Sequence, residues 1–379
     1  MKPIKVLHVF GTLNCGGAEM RTLEVLSRLD RRRYDLHFCA LSGQVGDLEG
    51  AILKAGGKTR HVRVRGPGFS RRFRELLATE AYDVVHSHVH YFSGAVLRLA
   101  AQCGVPVRIV YFQSSQDGRG RNPWRQVYSG LMRRWINRFA TDILAVSEGA
   151  LSAAWRPDWQ NDPRCQVIYQ GVDVSRFKNA DDPRSVRRRL GVADDAPLYI
   201  HVGRITEAKN HERLVEIFAA VRNRQPRARL LVVGRGDKAL EAQLSQQISS
   251  LGLDEAVVMC GERDDIPRLL AAADVMIFPS RWEGLPGAVL EACASGMPVV
   301  ASSLPSIGEI AERVRTVQCV SLESPNEEWA AAIQSAFQAR HGRAEAARLF
   351  AGSELTVESL ARRTCRVWAR CRETRGVAA

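Results

Sequence analysis

VMIFPSRWEGLPGAVLEACASGMPVVAS, residues 275–302, decides the fold. VMIFP at 275–279 reads as a buried strand. A loop with Gly284 and Pro286 follows, then apolar positions at helical spacing over 287–294, then a second strand, PVVAS at 298–302. A strand, a short crossover helix and another strand make the repeating unit of a parallel sheet covered on both faces. The same alternation precedes it. Strands PLYIHVG at 197–203, RLLVVG at 229–234 and VVMCG at 257–261 are each followed by helical spacing, over 212–224, 240–250 and 266–272. VQCVS at 317–321 closes the series.

An earlier series has the same rhythm. KVLHVF at 5–10, YDLHFCAL at 34–41, HVRV at 61–64, DVVHSH at 83–88, VRIVYF at 107–112, DILAVS at 142–147 and CQVIYQ at 165–170 read as strands. Helices are expected over 19–29, 47–55, 73–80, 92–102 and 124–139, and from Glu148. The polar stretch KNADDPRS at 178–185 separates the series, and residues 355–372 read as a basic helix. The expected fold class is therefore α/β, with two Rossmann-like doubly wound domains. The expected boundaries are 1–175, 176–350 and a C-terminal segment, 351–379.

The 379 residues carry a formal charge of +13, unevenly spread. Residues 1–170 hold 25 Lys and Arg against 14 Asp and Glu, and the remainder 29 against 27. The first half is therefore expected to face something anionic. No zinc finger, helix-turn-helix or RNA motif accompanies the arginines, so nucleic acid is not expected as a partner. Nine irregularly spaced cysteines fit neither a disulfide scaffold nor a structural zinc site, and point to a reducing compartment. The first apolar run is too short for a signal segment or a membrane span.

In a doubly wound sheet, ligands bind beyond the carboxyl ends of the strands. Three loops there carry chemistry. GTLNCGGAE at 11–19 places Gly16 and Gly17 before a helix, where backbone can approach a phosphate. It is not GxGxxG and lacks a P-loop lysine, so a tight turn is the plainer reading. HVGRITEAKNH at 201–211 sets Gly203, Arg204 and Lys209 after a strand, two cations suited to a diphosphate. In the third loop Glu283 and Glu291 flank Gly284–Gly287 and can accept hydrogen bonds from carbohydrate hydroxyls. His86, His88 and His90 alternate at strand spacing. No cysteine or acidic cluster completes a zinc site, so a polar loop is expected, with one histidine touching the acceptor.

Together GGAE at 16–19, GRITEAKNH at 203–211 and EGLPGAVLEACASGMPVVAS at 283–302 resemble the retaining glycosyltransferases of family 4, in the expected order and over nearly the whole chain. The resemblance implies two Rossmann-like domains facing across a cleft (the GT-B type), with an N-terminal acceptor side, a C-terminal donor side and a last helix returning to the first domain. It implies a nucleotide-sugar donor, UDP-linked by family weight, retention of configuration and no essential metal or other cofactor. It assigns Arg204 and Lys209 to the diphosphate, Glu283 to the donor sugar and Glu291 to the ribose; Arg204, Lys209 and Glu283 form the catalytic set. Gly16 and Gly17 would approach phosphate and sugar. Gly203 belongs to the diphosphate loop. Gly261 and Arg263 would lie near the base, and Leu285, Pro286 and Gly287 would line the sugar and phosphate region.

Two positions depart from the family pattern. YFQSSQ puts Gln113 where many members carry histidine, and glutamine supplies no acid or base near neutral pH. IYQGVD at 168–173 replaces the usual Pro-Asn before Gly-Val-Asp. The expected acceptor is a glycan or lipid-linked sugar in surface polysaccharide or glycoconjugate synthesis. The competing function is an inactive glycan-binding or scaffolding protein of the same fold. The expected location is cytoplasmic and peripheral on the inner face of the membrane. There the 124–139 helix would lay Trp124, Leu131, Trp135, Ile136 and Phe139 at an anionic surface while Arg133 and Arg134 meet phosphates.

Overall fold

Runs of β-branched and aliphatic residues form the central strands of the first unit, and a helix follows nearly every strand. The computed structural model describes residues 2–114, 123–178 and 182–374. It divides into Met1–Gly171 with Val357–Ala379, and Val172–Thr356. The first unit runs β1 Ile4–Phe10, α1 Gly17–Leu26, β2 Tyr34–Ala40, α2 Glu49–Lys54, β3 Lys58–His61, α3 Phe69–Glu80, β4 Val84–Ser87, α4 Ser93–Gln102, β5 Val107–Phe112, α5 Pro123–Phe139, β6 Asp142–Ala145, α6 Glu148–Ala154 and β7 Cys165–Val167. Its sheet is parallel, in the order β3-β2-β1-β4-β5-β6-β7. The order reverses between β1 and β4, which opens a crevice beyond the carboxyl ends of those two strands.

The third strand is not HVRV. Pairing runs through Lys58–His61 against His37–Ala40. This is an edge strand of polar residues. An edge needs no apolar alternation, so Val62 and Val64 drew the reading three residues too far along. The C-terminal helix Val357–Thr374 packs on this unit, against α1, β1 and β5. It buries Leu360, Val367 and Trp368 completely or nearly so. Arg363 donates to the Val167 carbonyl at 2.7 Å, and Arg370 pairs with Asp142.

Helix α5 departs from the expected orientation. Met132 and Ile136 are buried, and Arg98 stacks over the Trp135 ring at 4.5 Å. Arg133 donates to Tyr91 Oη at 2.8 Å and to the Ala154 carbonyl at 2.9 Å. Arg133 is thus committed to the fold and does not face outward. The exposed stripe is Trp124, Val127, Leu131, Arg134 and Arg138.

The second unit runs α7 Pro183–Arg189, β8 Leu198–Val202, α8 His211–Arg224, β9 Arg229–Val233, α9 Lys238–Ser250, β10 Val257–Gly261, α10 Ile266–Ala272, β11 Val275–Phe278, α11 Gly287–Ala294, β12 Val299–Ser302, α12 Pro305–Arg313, β13 Val317–Val320, α13 Asn326–Ala339 and α14 Arg343–Ala351. The parallel order is β10-β9-β8-β11-β12-β13, so the reversal falls between β8 and β11. Helix α7 begins inside the stretch read as a polar linker. Asp182 accepts from the Arg184 N–H and Pro183 occupies the first turn, both helix-start signals. Arg187 then ties α7 to the sheet, with Nη2 2.8 Å from Asp274 and Nη1 donating to the Ala196 carbonyl. Trp329 of α13 is fully buried in the core with Phe218 and Ile333.

Candidate functional site

In the second unit, the loops after β8 and β11 meet at the sheet reversal. Lys209 and Glu283, 74 residues apart in the chain, form an ion pair of 2.6 Å between Nζ and Oε1. Glycine makes the approach possible. A Cβ at Gly203 would sit 3.1 Å from Lys209 Cδ and Cε. Gly234 has φ +142°, and a Cβ there would lie 2.0 Å from the Gly203 carbonyl oxygen. The ends of β8 and β9 therefore close up only with glycine at 234, and the Lys209 stem passes over Gly203. The ammonium also lies over the Phe278 ring, 4.6 Å from its centroid. An ammonium has three donors, so Lys209 can keep Glu283 and still meet an anion.

The other expected residues surround this pair to different degrees. Arg204 is exposed and has no ion-pair partner among the described residues. Leu285 and Pro286 are buried at the entry to α11, which Gly287 begins. Glu291 lies on α11, with Oε1 3.6 Å from Arg176 Nη1. Gly261 ends β10 with φ +63°, and Arg263 is held by Asp265 through two bonds of 2.7 and 2.8 Å.

Sequence reasoning missed Arg176, which sits in a one-turn helix, Val174–Phe177, with no motif around it. It also missed His201 and His211. These rings lie 4.7 Å apart, and His201 Nδ1 bonds the Ile277 carbonyl at 2.9 Å. Burial holds both neutral, helped by the nearby Lys209 charge, and brings His211 to about 4.

In the first unit, Gly16 precedes α1 and Glu19 folds back over it. A Cβ at Gly16 would lie 2.4 Å from Glu19 Oε2. Burial raises the Glu19 pKa, while a bond from its own backbone N–H opposes the rise. The helix start thus already faces a carboxyl group, and the open side of the loop is at Gly17, with nothing within 4 Å of a Cβ there.

The histidines group differently from the i, i+2 pattern. His90 takes φ +48° and packs on Tyr91 and Phe112. His8 of β1 joins His86 and His88 instead, with ligand atoms all within 4.8 Å of one another. Their hydrogen bonds fix the tautomers. Gln170 Nε2 donates to Gln113 Oε1 at 2.7 Å, and Gln113 Nε2 donates to His88 Nδ1 at 2.9 Å. His88 Nε2 therefore carries its proton and donates to His8 Nδ1 at 2.9 Å, which leaves an N–H on His8 Nε2. Trp368 Nε1 donates to His86 Nδ1 at 3.3 Å, which leaves an N–H on His86 Nε2. In this arrangement His8 Nε2 and His86 Nε2 carry the protons, and both are buried with no hydrogen-bond partner among the described residues. Gln113 is fixed between His88 and Gln170. With both ring nitrogens engaged, His88 has no spare atom for an acceptor.

His88 and His90 also border a cavity of about 1030 Å³ at the β1–β4 reversal, beside Gly11, Arg63, Arg65 and Tyr91.

Residues 15–176 match the model described as Glycosyltransferase Family 4, and residues 196–339 that described as Glycosyl transferases group 1. The chain is 27% identical over 337 residues to the capsular polysaccharide biosynthesis glycosyltransferase CapH of Staphylococcus aureus, covering 87% of this chain and 90% of that one. It is 31% identical over 264 residues to the lipopolysaccharide core biosynthesis mannosyltransferase LpsB of Rhizobium meliloti, covering 66% and 70%. In fold it is similar to Anabaena Alr3699/HepE in complex with UDP, with TM-score 0.80 at 19% identity over 97% of this chain and 100% of that one.

Proposed function

The chain belongs to glycosyltransferase family 4, and from that membership we propose that it transfers a sugar, with retention, from a UDP-linked donor to a glycan or lipid-linked acceptor. The product belongs to surface polysaccharide or glycoconjugate synthesis. The observation that carries this reading is the Lys209–Glu283 pair at the β8–β11 reversal, a cation for the departing diphosphate beside a carboxylate for sugar hydroxyls. UDP is the diphosphate in the HepE complex, and polysaccharide is the product named for CapH.

In this reading the second unit serves the donor. Arg204 and Lys209 neutralise the charge that develops on the leaving diphosphate. Glu283 accepts from the sugar, and Glu291, oriented by Arg176, accepts from the ribose. Gly261 and the backbone around Arg263 lie near the base, and Leu285–Gly287 bring backbone groups to the sugar and phosphate. The first unit serves the acceptor. Transfer needs no divalent ion, because the loop supplies its own cations. The exposed stripe of α5 attaches the protein reversibly to the anionic inner face of a membrane. Among the described residues no helix is long and apolar enough to cross one.

The test is a panel of nucleotide sugars assayed by nucleoside-diphosphate release with a native lipid extract, with and without EDTA. Release from a UDP-sugar, dependent on the extract and unaffected by EDTA, is the expected result. Release from no donor overturns the reading, and activity restored after EDTA by one divalent ion overturns its metal-free part.

A further inference from the structure

We propose that the cavity in the first unit binds an acceptor that carries an anionic group, and that Arg63 and Arg65 read that charge. The inference rests on the glycosyltransferase reading above and names the class of its acceptor.

The cavity lies where a doubly wound sheet presents ligands, beyond β1 and β4. Its described lining contains three arginines and no carboxylate. Arg63 and Arg65 are exposed, and their guanidinium groups have no hydrogen-bond or ion-pair partner among the described residues. The two unpartnered guanidinium groups of Arg63 and Arg65, two positions apart on one concave surface, repel each other and focus positive potential into it. A neutral sugar relieves none of that repulsion, whereas a phosphate or carboxylate relieves it through paired, charge-assisted bonds.

The segment carrying two of these arginines is held in place. Val62 and Val64 N–H groups donate to the Ala40 and Leu41 carbonyls at 3.0 and 2.9 Å. Arg72 donates to the Arg63 and Pro67 carbonyls at 2.8 and 2.9 Å. Gly43, at φ +72°, lets the neighbouring loop close against Arg63; a Cβ there would lie 2.8 Å from Arg63 Cβ. Facing these, Arg125 lies over the Tyr128 ring at 5.2 Å, and Tyr91 is fixed by Arg133. The charged rim thus stands beside aromatic faces that can pack on the apolar side of a sugar ring.

The test is calorimetric titration of the full chain with glucose 6-phosphate, methyl glucuronide and neutral methyl glucoside, with excess UDP present throughout. At least one charged sugar should bind about tenfold tighter than the neutral one. The margin should shrink as salt rises. Preference for glucose 6-phosphate alone identifies a phosphorylated acceptor, and preference for methyl glucuronide alone an acidic sugar. The double variant Arg63→Gln/Arg65→Gln should abolish the preference while UDP affinity and circular dichroism stay unchanged. Equal or absent binding of the three sugars overturns the inference, as does a preference that survives the double variant. Loss of UDP affinity in the folded double variant also overturns it, because the cavity would then serve the donor. Failure of the sugar arm with UDP bound normally leaves the transferase reading standing. Failure of the wild-type chain to bind UDP counts against that reading instead.

Discussion

Lys209 and Glu283 illustrate what a single ion pair decides. At 2.6 Å and partly buried, the pair holds the ammonium in place, and a bound diphosphate would compete with Glu283 for its charge. Glu283→Gln removes that competitor and keeps the shape. Free UDP should therefore bind as tightly or more tightly, while turnover of the intact donor falls because a sugar-hydroxyl acceptor is weakened. Lys209→Ala should weaken both ligands, by about 1.5–3 kcal/mol. Glu291→Ala should weaken UDP and UDP-sugar alike. Titration of both ligands against the three variants checks this, and unchanged turnover in Glu283→Gln contradicts it. Lys209 and Glu283 were legible in the sequence because each follows a strand within a dense local motif. Their contact was not legible, since it depends on β8 and β11 being neighbours. Arg176 carried no local signal. His8 was invisible beside His86 and His88 because its place in the cluster comes from the β1–β4 register, His8 opposite His86.

Elements show the same division between pattern and packing. Apolar periodicity gave nearly every central strand, because a strand buried on both faces must be apolar along its length. It misplaced β3, whose edge pairing tolerates Lys58, Thr59 and Arg60, and it passed over α7, whose start signal lay in a stretch read as linker. Helix α5 was read correctly as amphipathic, but its two faces had to be sorted by the structure. Ile136 and Met132 face inward and Arg133 is an internal clamp. Trp124, Val127 and Leu131 are 85%, 68% and 44% exposed, and Arg134 and Arg138 continue their stripe. An anionic bilayer matches that face, since tryptophan and aliphatics enter the interface while arginines meet phosphates. Wild-type protein should co-sediment with anionic vesicles at low salt and be released at high salt. Arg134→Glu/Arg138→Glu should abolish binding without loss of fold, and Trp124→Ala should weaken it. Arg133→Glu is expected to damage the fold itself. Equal binding to neutral vesicles, or none to either, counts against this role for α5.

At the scale of the whole molecule, both units bury histidines in neutral form, which makes stability depend on pH in a range where few other groups titrate. His8, His86 and His88 lie in the first unit, His201 and His211 in the second, and burial lowers the pKa of all five. His86 falls to about 3 and His211 to about 4. Unfolded histidines take up protons below about pH 6.5, while these folded ones do not. The unfolded state therefore binds more protons, and stability falls as pH drops. The contribution is complete above about 6.5 and declines progressively toward the folded values. Each histidine that stays neutral adds a slope of about 1.4 kcal/mol per pH unit within that window. Depressed carboxylates act lower. Glu80, held at about 2 by Lys5 and Arg60, contributes above its ordinary range and loses that contribution as pH falls toward 2. Between pH 6.5 and 5 the histidines therefore dominate. Urea unfolding at pH 7, 6 and 5 should show midpoints that fall with pH. The first unit, where buried His37 joins the three around Trp368 to make four such histidines, should shift more than the second, with two. Trp368 and Trp329 are buried in the first and second units, so single-tryptophan variants report each unit separately. A midpoint that stays constant from pH 7 to 5 in both would mean that these histidines are protonated, or solvated, in the folded protein.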